Sequence, residues 1–277
     1  MKITVLIENT TKGELIAEHG LSLYIEHKGK RILLDAGSTN NFAENAKKLG
    51  IDIEAVDICV LSHGHYDHSG GFDILLTRNK DVKIYARKSA LDTYLSAKGG
   101  MHEISIPKDV REKIDRFCLV EGNVELLKGV YLIPHTTEGL EKIGEKAGLY
   151  KMLEEEIVPD DFLHEQSLVV ETEKGLVIFN SCSHGGVENI IKEVKEVCDG
   201  KQIYAYIGGL HMMGKKDGKE ICTFTDEELN ELCMVISEEK IKHVYTGHCT
   251  GKEGLLRMKE RIGNVVEGIE TGMIIEV

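Results

Sequence analysis

The chain has 277 residues, of which 42% are hydrophobic and 29% are charged, and its formal net charge is −13. This composition is typical of a globular protein with a large apolar core. The negative charge gives no general attraction to phosphate backbones, so a nucleic-acid partner is not expected. No apolar run approaches the roughly 18 residues of a membrane span, and the N-terminus lacks a signal-peptide pattern, so no membrane partner is expected.

The seven cysteines are scattered through the chain and include no Cys-x-x-Cys pair. Their odd number argues against a full disulfide framework. Thiols that stay reduced are typical of the cytoplasm, which is the expected location.

The first part of the chain predicts a hairpin followed by alternating helices and strands. Apolar alternation and β-branched runs predict strands at residues 2–8, 19–27, 31–37, 56–61 and 82–86. Helices are predicted at residues 42–49, 72–77 and 89–96. This order favours mixed sheets with helices on their outer faces.

A histidine-rich loop, residues 61–71, follows the fourth predicted strand. It contains His63, His65, Asp67 and His68 within six positions, and its glycines indicate a turn. His63 and His65 are spaced to hold one metal ion, whereas Asp67 and His68 can face a second. Imidazole and carboxylate ligands together favour zinc, iron or manganese over calcium or magnesium.

The second part of the chain again alternates strands and helices. Strands are predicted at residues 130–135, 167–172, 176–180, 202–208, 242–246 and 273–277. Helices are predicted at residues 187–197, 226–239 and 251–262. Two weakly patterned segments remain, which we interpret as insertions that cover the active site, with short helical pieces in the second: residues 98–128 and 136–162.

Three further histidines, His184, His211 and His248, each follow a predicted strand and lie within two residues of a glycine. Loops that end strands commonly carry binding residues. Cys182, two residues before His184, could be a thiolate ligand or inert packing.

The His-x-His-x-Asp-His motif at residues 63–68 resembles the signature of the metallo-β-lactamase superfamily. Further matches are Leu-Leu-Asp-Ala-Gly at 33–37, Cys-Ser-His at 182–184, Gly-Gly-Leu-His at 208–211 and Gly-His-Cys-Thr at 247–250. The last three together resemble a branch that includes archaeal 7,8-dihydropterin-6-methyl-4-(β-D-ribofuranosyl)aminobenzene-5'-phosphate synthases. The resemblance implies an α/β fold, a four-layer αβ/βα sandwich of two mixed sheets with outer helices, formed by residues 1–277 as a single domain.

The resemblance also implies a centre of two divalent metal ions, with zinc expected and iron or manganese as alternatives. The implied ligands are His63, His65, Asp67, His68, His184 and His248. Asp35 is expected to orient a metal-binding histidine. Many superfamily members have a bridging acidic residue where this chain has Cys182, so a single-metal site and ligation by Cys182 both stay open. His164 lies where superfamily members often carry a histidine ligand and competes with His184 for that position, and His184 is favoured because its strand-end context is tighter.

The expected function is that of a metal-dependent hydrolase, in which a metal-activated water attacks a phosphorylated or ester small molecule. The substrate is expected to be anionic. Asp67 is expected to take up the proton, and His211 to donate to the developing oxyanion or leaving group, with His135 as a weaker candidate for that role. One alternative is a dihydropterin-diphosphate-dependent synthase, a transferase in which diphosphate leaves as an arylamine attacks. Another is a non-catalytic metal-binding or redox protein on the same fold. The sequence does not specify the oligomeric state.

Overall fold

The computed structural model describes residues 1–277, which form twenty β-strands and eight α-helices. The strands are β1 (Lys2–Ile7), β2 (Ser22–His27), β3 (Lys30–Leu34), β4 (Ile58–Val60), β5 (Ile84–Arg87), β6 (Tyr94–Ser96), β7 (His102–Glu103), β8 (Phe117–Val120), β9 (Val124–Leu127), β10 (Val130–Pro134), β11 (Leu149–Leu153), β12 (Glu156–Pro159), β13 (Gln166–Thr172), β14 (Gly175–Phe179), β15 (Ile203–Ile207), β16 (Met213–Lys216), β17 (Lys219–Cys222), β18 (His243–Thr246), β19 (Val266–Gly268) and β20 (Ile274–Glu276). The helices are α1 (Asn41–Lys48), α2 (Tyr66–Ser69), α3 (Phe72–Arg78), α4 (Lys108–Arg111), α5 (Glu141–Ala147), α6 (Val187–Val197), α7 (Asp226–Glu238) and α8 (Gly251–Ile262).

The residues divide into two compact units, each with a large mixed sheet. The first unit comprises Met1–Gly122, Pro134–Gln166 and Glu270–Val277, and the second comprises Asn123–Ile133 and Ser167–Ile269. The two large sheets and their flanking helices confirm the α/β class. The assignment of residues 1–277 to one domain stays a prediction.

The large sheet of the first unit has the strand order β20-β1-β2-β3-β4-β5-β8. Strands β3, β4, β5 and β8 run parallel, whereas the hairpin strands pair antiparallel. Helices α1 and α3 bury Phe42, Phe72 and Leu75 in the core of this unit. Because parallel strands end at the same edge of a sheet, the residues that follow β3 and β4 lie side by side.

The large sheet of the second unit has the order β19-β18-β15-β14-β13-β10-β9, in which β14, β15, β18 and β19 run parallel. Helices α6, α7 and α8 contribute Ile190, Leu229 and Met258 to its core. The loops that follow β14, β15 and β18 therefore meet at one edge. Those loops carry the predicted residues His184, His211 and His248.

Helix α7 begins close to its predicted position because its N-terminus is capped locally. The Thr225 hydroxyl accepts a hydrogen bond from the Glu228 amide at 3.2 Å, and the Glu228 carboxylate accepts one from the Thr225 amide at 2.9 Å. This reciprocal capping box satisfies two amides that the helix itself cannot pair.

The prediction of a helix at residues 89–96 is wrong. Lys88–Leu91 form one 3-10 turn, and the chain then extends into β6. Strand β6 pairs with β7 and β11, and the Tyr94 amide donates to the Ser105 hydroxyl at 2.9 Å. Pairing with distant strands therefore outweighs the local helical pattern.

The two weakly patterned segments contain more regular structure than the sequence indicates. Residues 98–128 include β8 and β9, which are edge strands of the two large sheets, and residues 136–162 include α5, β11 and β12. Strands β12, β11, β6 and β7 form a small sheet of the first unit. That these segments cover the active site stays a prediction. None of the helices is long and apolar enough to cross a membrane.

Candidate metal centre

The histidine loop of the first unit gathers four ionisable side chains immediately after β4. His63 and His65 precede α2, and that helix carries Asp67 and His68. All four side chains are buried. The ring centroid of His63 lies 4.5 Å from that of His65 and 4.2 Å from that of His68. The structure thus brings together the four predicted ligands of this loop.

Asp35 organises the loop from the end of β3. Its Oδ1 accepts from the Ser62 amide at 2.7 Å, and its Oδ2 accepts from the Ser62 hydroxyl at 2.7 Å. His68 Nδ1 lies 2.8 Å from the same Oδ2. A carboxylate only accepts hydrogen bonds, so His68 carries its proton on Nδ1. The predicted contact between Asp35 and a histidine of the motif is confirmed.

The same reasoning assigns the proton of His63. The Ser62 hydroxyl donates its single hydrogen to Asp35, so it accepts from His63 Nδ1, 2.8 Å away. In both His63 and His68, Nε2 is then the nitrogen with the lone pair that a metal requires. Asp35 holds this arrangement with a left-handed backbone at φ 59°, an uncommon conformation that aspartate tolerates better than most residues.

Asp67 faces two histidines. Its Oδ2 lies 3.2 Å from Nε2 of His19 and 3.7 Å from Nε2 of His68. The His19 side chain is half exposed, whereas that of His68 is fully buried. The Asp67 carboxylate therefore lies between the buried loop and a solvent-facing imidazole.

His164 supports the histidine loop through hydrogen bonds at both ring nitrogens. Its Nδ1 accepts from the Gly64 amide at 2.9 Å, so its proton lies on Nε2 and is donated to Asp160 at 3.0 Å. Its ring stacks on that of Tyr94 with centroids 3.9 Å apart. Because both nitrogens are used in this way, His164 is a weaker candidate for ligation than His184. Burial, followed by the charge of Asp160, raises the pKa of Tyr94, so this phenol stays protonated.

His135, the weaker candidate for proton donation, is paired with a carboxylate. Its Nε2 lies 2.6 Å from Glu165, and both side chains are buried. This pair, like the pair of His164 and Asp160, was not predicted. No pattern in the sequence connects residues that are 30 positions apart.

In the second unit, the loop after β14 carries Cys182 and His184, both buried. The amide of Ser183 donates to Asn180 Oδ1 at 2.7 Å, and its hydroxyl donates to the Gly209 carbonyl at 2.6 Å. Ser183 adopts a left-handed backbone at φ 55°. These bonds fix the turn that presents the side chains on either side of it.

His211 and His248 follow β15 and β18 of the same sheet. The rings of His184 and His211 have centroids 4.5 Å apart. His211 and His248 have left-handed backbones at φ 49° and φ 50°. Strained backbones of this kind cluster at functional sites, where the surrounding structure holds them.

Cys249, next to His248, belongs to the same group of loops. Its thiol donates to the Cys182 carbonyl at 3.6 Å. Cys249 was missed in the sequence because a lone cysteine carries no spacing signal.

The donors fit a divalent metal. Imidazole groups lie with either a thiol or a carboxylate in sets whose ligand atoms are within 4.8 Å of one another. This mixture of nitrogen, oxygen and sulfur ligands suits zinc, and imidazole with carboxylate also suits iron and manganese.

Comparison with known proteins gives a consistent result. The family model described as the metallo-β-lactamase superfamily matches residues 16–179. The 7,8-dihydropterin-6-methyl-4-(β-D-ribofuranosyl)-aminobenzene-5'-phosphate synthase of Methanocaldococcus jannaschii is 30% identical over 278 residues, with 94% of this chain and 90% of that protein covered.

Solved structures share the fold over the full length. A metal-dependent hydrolase of the β-lactamase superfamily has a TM-score of 0.82 and 27% identity, with 100% of this chain and 99% of that chain covered. A diphosphatase from the PhnP family has a TM-score of 0.54 and 17% identity, with 100% and 97% covered, and shows the fold alone.

Proposed function

Because the chain belongs to the metallo-β-lactamase superfamily, we propose that it is a metal-dependent hydrolase that acts on a phosphorylated or ester small molecule. The observation that carries the proposal is a hydrogen-bond network. In it, Asp35 and Ser62 hold the protons of His68 and His63 on Nδ1, which leaves Nε2 of both rings with the lone pair that a metal requires. Such carboxylate–histidine pairs orient imidazoles for metals. The similarity to a metal-dependent hydrolase with a TM-score of 0.82 supports the same reaction class.

We assign the metal ligands of the first unit to His63, His65, Asp67 and His68. His184 and His248 stay predicted ligands from the second unit. When bound, divalent ions of this type lower the pKa of a water molecule and polarise a phosphoryl or carbonyl oxygen.

The side chains of the protein supply the proton transfers. Asp67 takes up the proton that the attacking water loses, at Oδ2, which lies 3.2 Å from the half-exposed His19. His211 donates a hydrogen bond to the developing oxyanion or to the leaving group. The His184 ring packs against His211, with the ring centroids 4.5 Å apart.

The substrate is proposed to be a small anionic molecule. The chain carries a net charge of −13, so its general field repels anions, and attraction has to come from local positive charge. Neither a nucleic acid nor a membrane is proposed as a partner.

A second candidate function is synthesis rather than hydrolysis. The similarity to the Methanocaldococcus jannaschii synthase extends over 94% of this chain, which favours a transferase with a dihydropterin diphosphate as substrate. In that reaction an arylamine would replace water as the nucleophile, and diphosphate would leave. Incubation with a dihydropterin diphosphate, with and without an arylamine, separates the two reactions. Hydrolysis gives the pterin monophosphate with inorganic phosphate, or the pterin alcohol with diphosphate, whereas transfer forms a carbon–nitrogen bond and releases diphosphate.

Metal content and turnover test the proposal together. The protein is purified without chelator, its metal is measured by elemental analysis, and phosphoesters and lactones are screened. We expect Asp67→Ala and His68→Ala to lower metal content and abolish turnover. His102→Ala is the matched control, because His102 is an exposed histidine outside the loop. Full metal loading and turnover in the Asp67 and His68 variants would contradict the assignment.

A further inference from the structure

Cys182 lies at the edge where three parallel strands of the second unit end. Its sulfur is within 4.8 Å of ligand atoms of both His184 and His248. His184 is on the same loop, whereas His248 follows β18, two strands away in the sheet order. A single sulfur atom thus lies close to imidazoles from two different loops.

The surroundings of Cys182 differ from those of the packing cysteines. Cys198 and Cys233 pack in an apolar cluster of the second unit. Cys182 is buried as well, but its sulfur lies within 4.8 Å of imidazole nitrogens of His184 and His248. Buried cysteines in apolar surroundings are usually inert, whereas those beside imidazoles are typical of metal sites.

We propose that Cys182 is a thiolate metal ligand of the second unit, beside the predicted ligands His184 and His248. The proposal rests on the metal centre of the proposed function and adds a sulfur donor to its ligand set. On ligation the S–H bond breaks, a sulfur–metal bond forms and the proton passes to the buffer. No change of oxidation state is involved.

Cys249 acts as a positioning residue for this ligand. Its thiol donates to the Cys182 carbonyl at 3.6 Å, which ties the loop after β18 to the loop after β14. The space around it is tight, because a Cβ at Gly209 would lie 2.4 Å from the Cys249 sulfur. A serine at position 249 could still donate to the same carbonyl.

A sulfur donor changes which metals the centre prefers. Thiolates favour zinc, cobalt and iron over manganese and magnesium, because soft ligands bind softer ions more strongly. Cobalt(II) is also a spectroscopic probe, since a cobalt–thiolate bond gives an intense charge-transfer band in the near ultraviolet.

The test loads the metal-free full-length protein with cobalt(II) and measures absorption and bound cobalt in parallel. We expect the wild-type protein to show the thiolate band. Cys182→Ser and Cys182→Asp should lose the band, and Cys182→Asp should still bind cobalt because a carboxylate also ligates. Cys249→Ser should keep the band, as should the control Cys118→Ser, which changes a half-buried cysteine of the first unit.

Several outcomes would overturn the proposal. Wild-type protein that binds cobalt without the band would refute thiolate ligation and leave the hydrolase proposal intact. A band that persists in both Cys182 variants, or one lost in Cys249→Ser alone, would assign the sulfur elsewhere. Conversely, a band with no turnover on any substrate would refute the proposed function and not the ligand. Wild-type protein that binds no metal would refute both.

Discussion

Substitution of Asp35 by asparagine should weaken metal binding by reversing the protonation of two histidines. The fully buried Asp35 accepts from the Ser62 amide, the Ser62 hydroxyl and His68 Nδ1. Asparagine keeps one oxygen, which the Ser62 amide can use, but places an NH2 group against the other two partners. Asparagine also tolerates the left-handed backbone at this position, so the change is confined to hydrogen bonding.

Two responses are open to the variant, and each has a similar magnitude. If His68 keeps its proton on Nδ1, two donors face each other in a buried site, which costs about 1–3 kcal/mol. If instead His68 accepts at Nδ1, its proton moves to Nε2. The Ser62 hydroxyl then turns and donates to Nδ1 of His63, so that the His63 proton also moves to Nε2. Loss of such orienting partners weakens metal affinity by about 10- to 100-fold.

Chelator competition at fixed pH measures this change in metal affinity. The matched control is Asp57→Asn, the same chemical change at an aspartate that precedes β4 and pairs with Arg31. We expect the control to bind metal with wild-type affinity. If Asp35→Asn also binds metal as tightly as the wild type, the assignment of protons to Nδ1 of His63 and His68 is wrong.

Three further predictions concern stability. Gly64→Ala should destabilise the protein by about 1–3 kcal/mol in urea unfolding, because the new Cβ would lie 2.5 Å from the Ala90 carbonyl oxygen. Arg31 lowers the pKa of Asp57 to about 2 from 3.8, so this ion pair stabilises the fold above about pH 4 and is progressively lost as pH falls through 2. Asp57→Asn should therefore cost about 1 kcal/mol at neutral pH and only a small part of that near pH 2. Thr225→Ala should lower stability by about 1 kcal/mol, since it removes the cap of α7.

Each of these predictions has a result that would contradict it. Wild-type stability of Gly64→Ala would mean that the loop can move away from Ala90 at little cost. A deficit of Asp57→Asn that persists at pH 2 would show that the ion pair is not its source. For the cap, Thr225→Ser is the matched variant, because serine can accept the same hydrogen bond and should restore most of the stability.

Local patterns predicted the helices of the second unit well. The helices predicted at residues 187–197 and 251–262 correspond to α6 and α8. Their signals, an apolar stripe and glycines near the ends, are local in the sequence. The strand pairs of the small sheet were not predicted. Strand β6 pairs with β11, about fifty residues away, and no local period records such a partner.

The sequence by itself determined which donors are present and on which loops they lie, since residue type, spacing and strand ends are local properties. Only the tertiary structure decided how those donors are held. Asp35 and His68 are separated by 33 positions, and Gly64 and His164 by 100, so these hydrogen bonds form only in the folded chain. The first forms where the parallel strands β3 and β4 end at a common edge, and the second where the segment before β13 contacts the histidine loop. The hydrogen-bond partner of one imidazole nitrogen decides which nitrogen carries the proton and which can bind a metal. The distinction between ligand histidines and supporting histidines therefore follows from the folded arrangement.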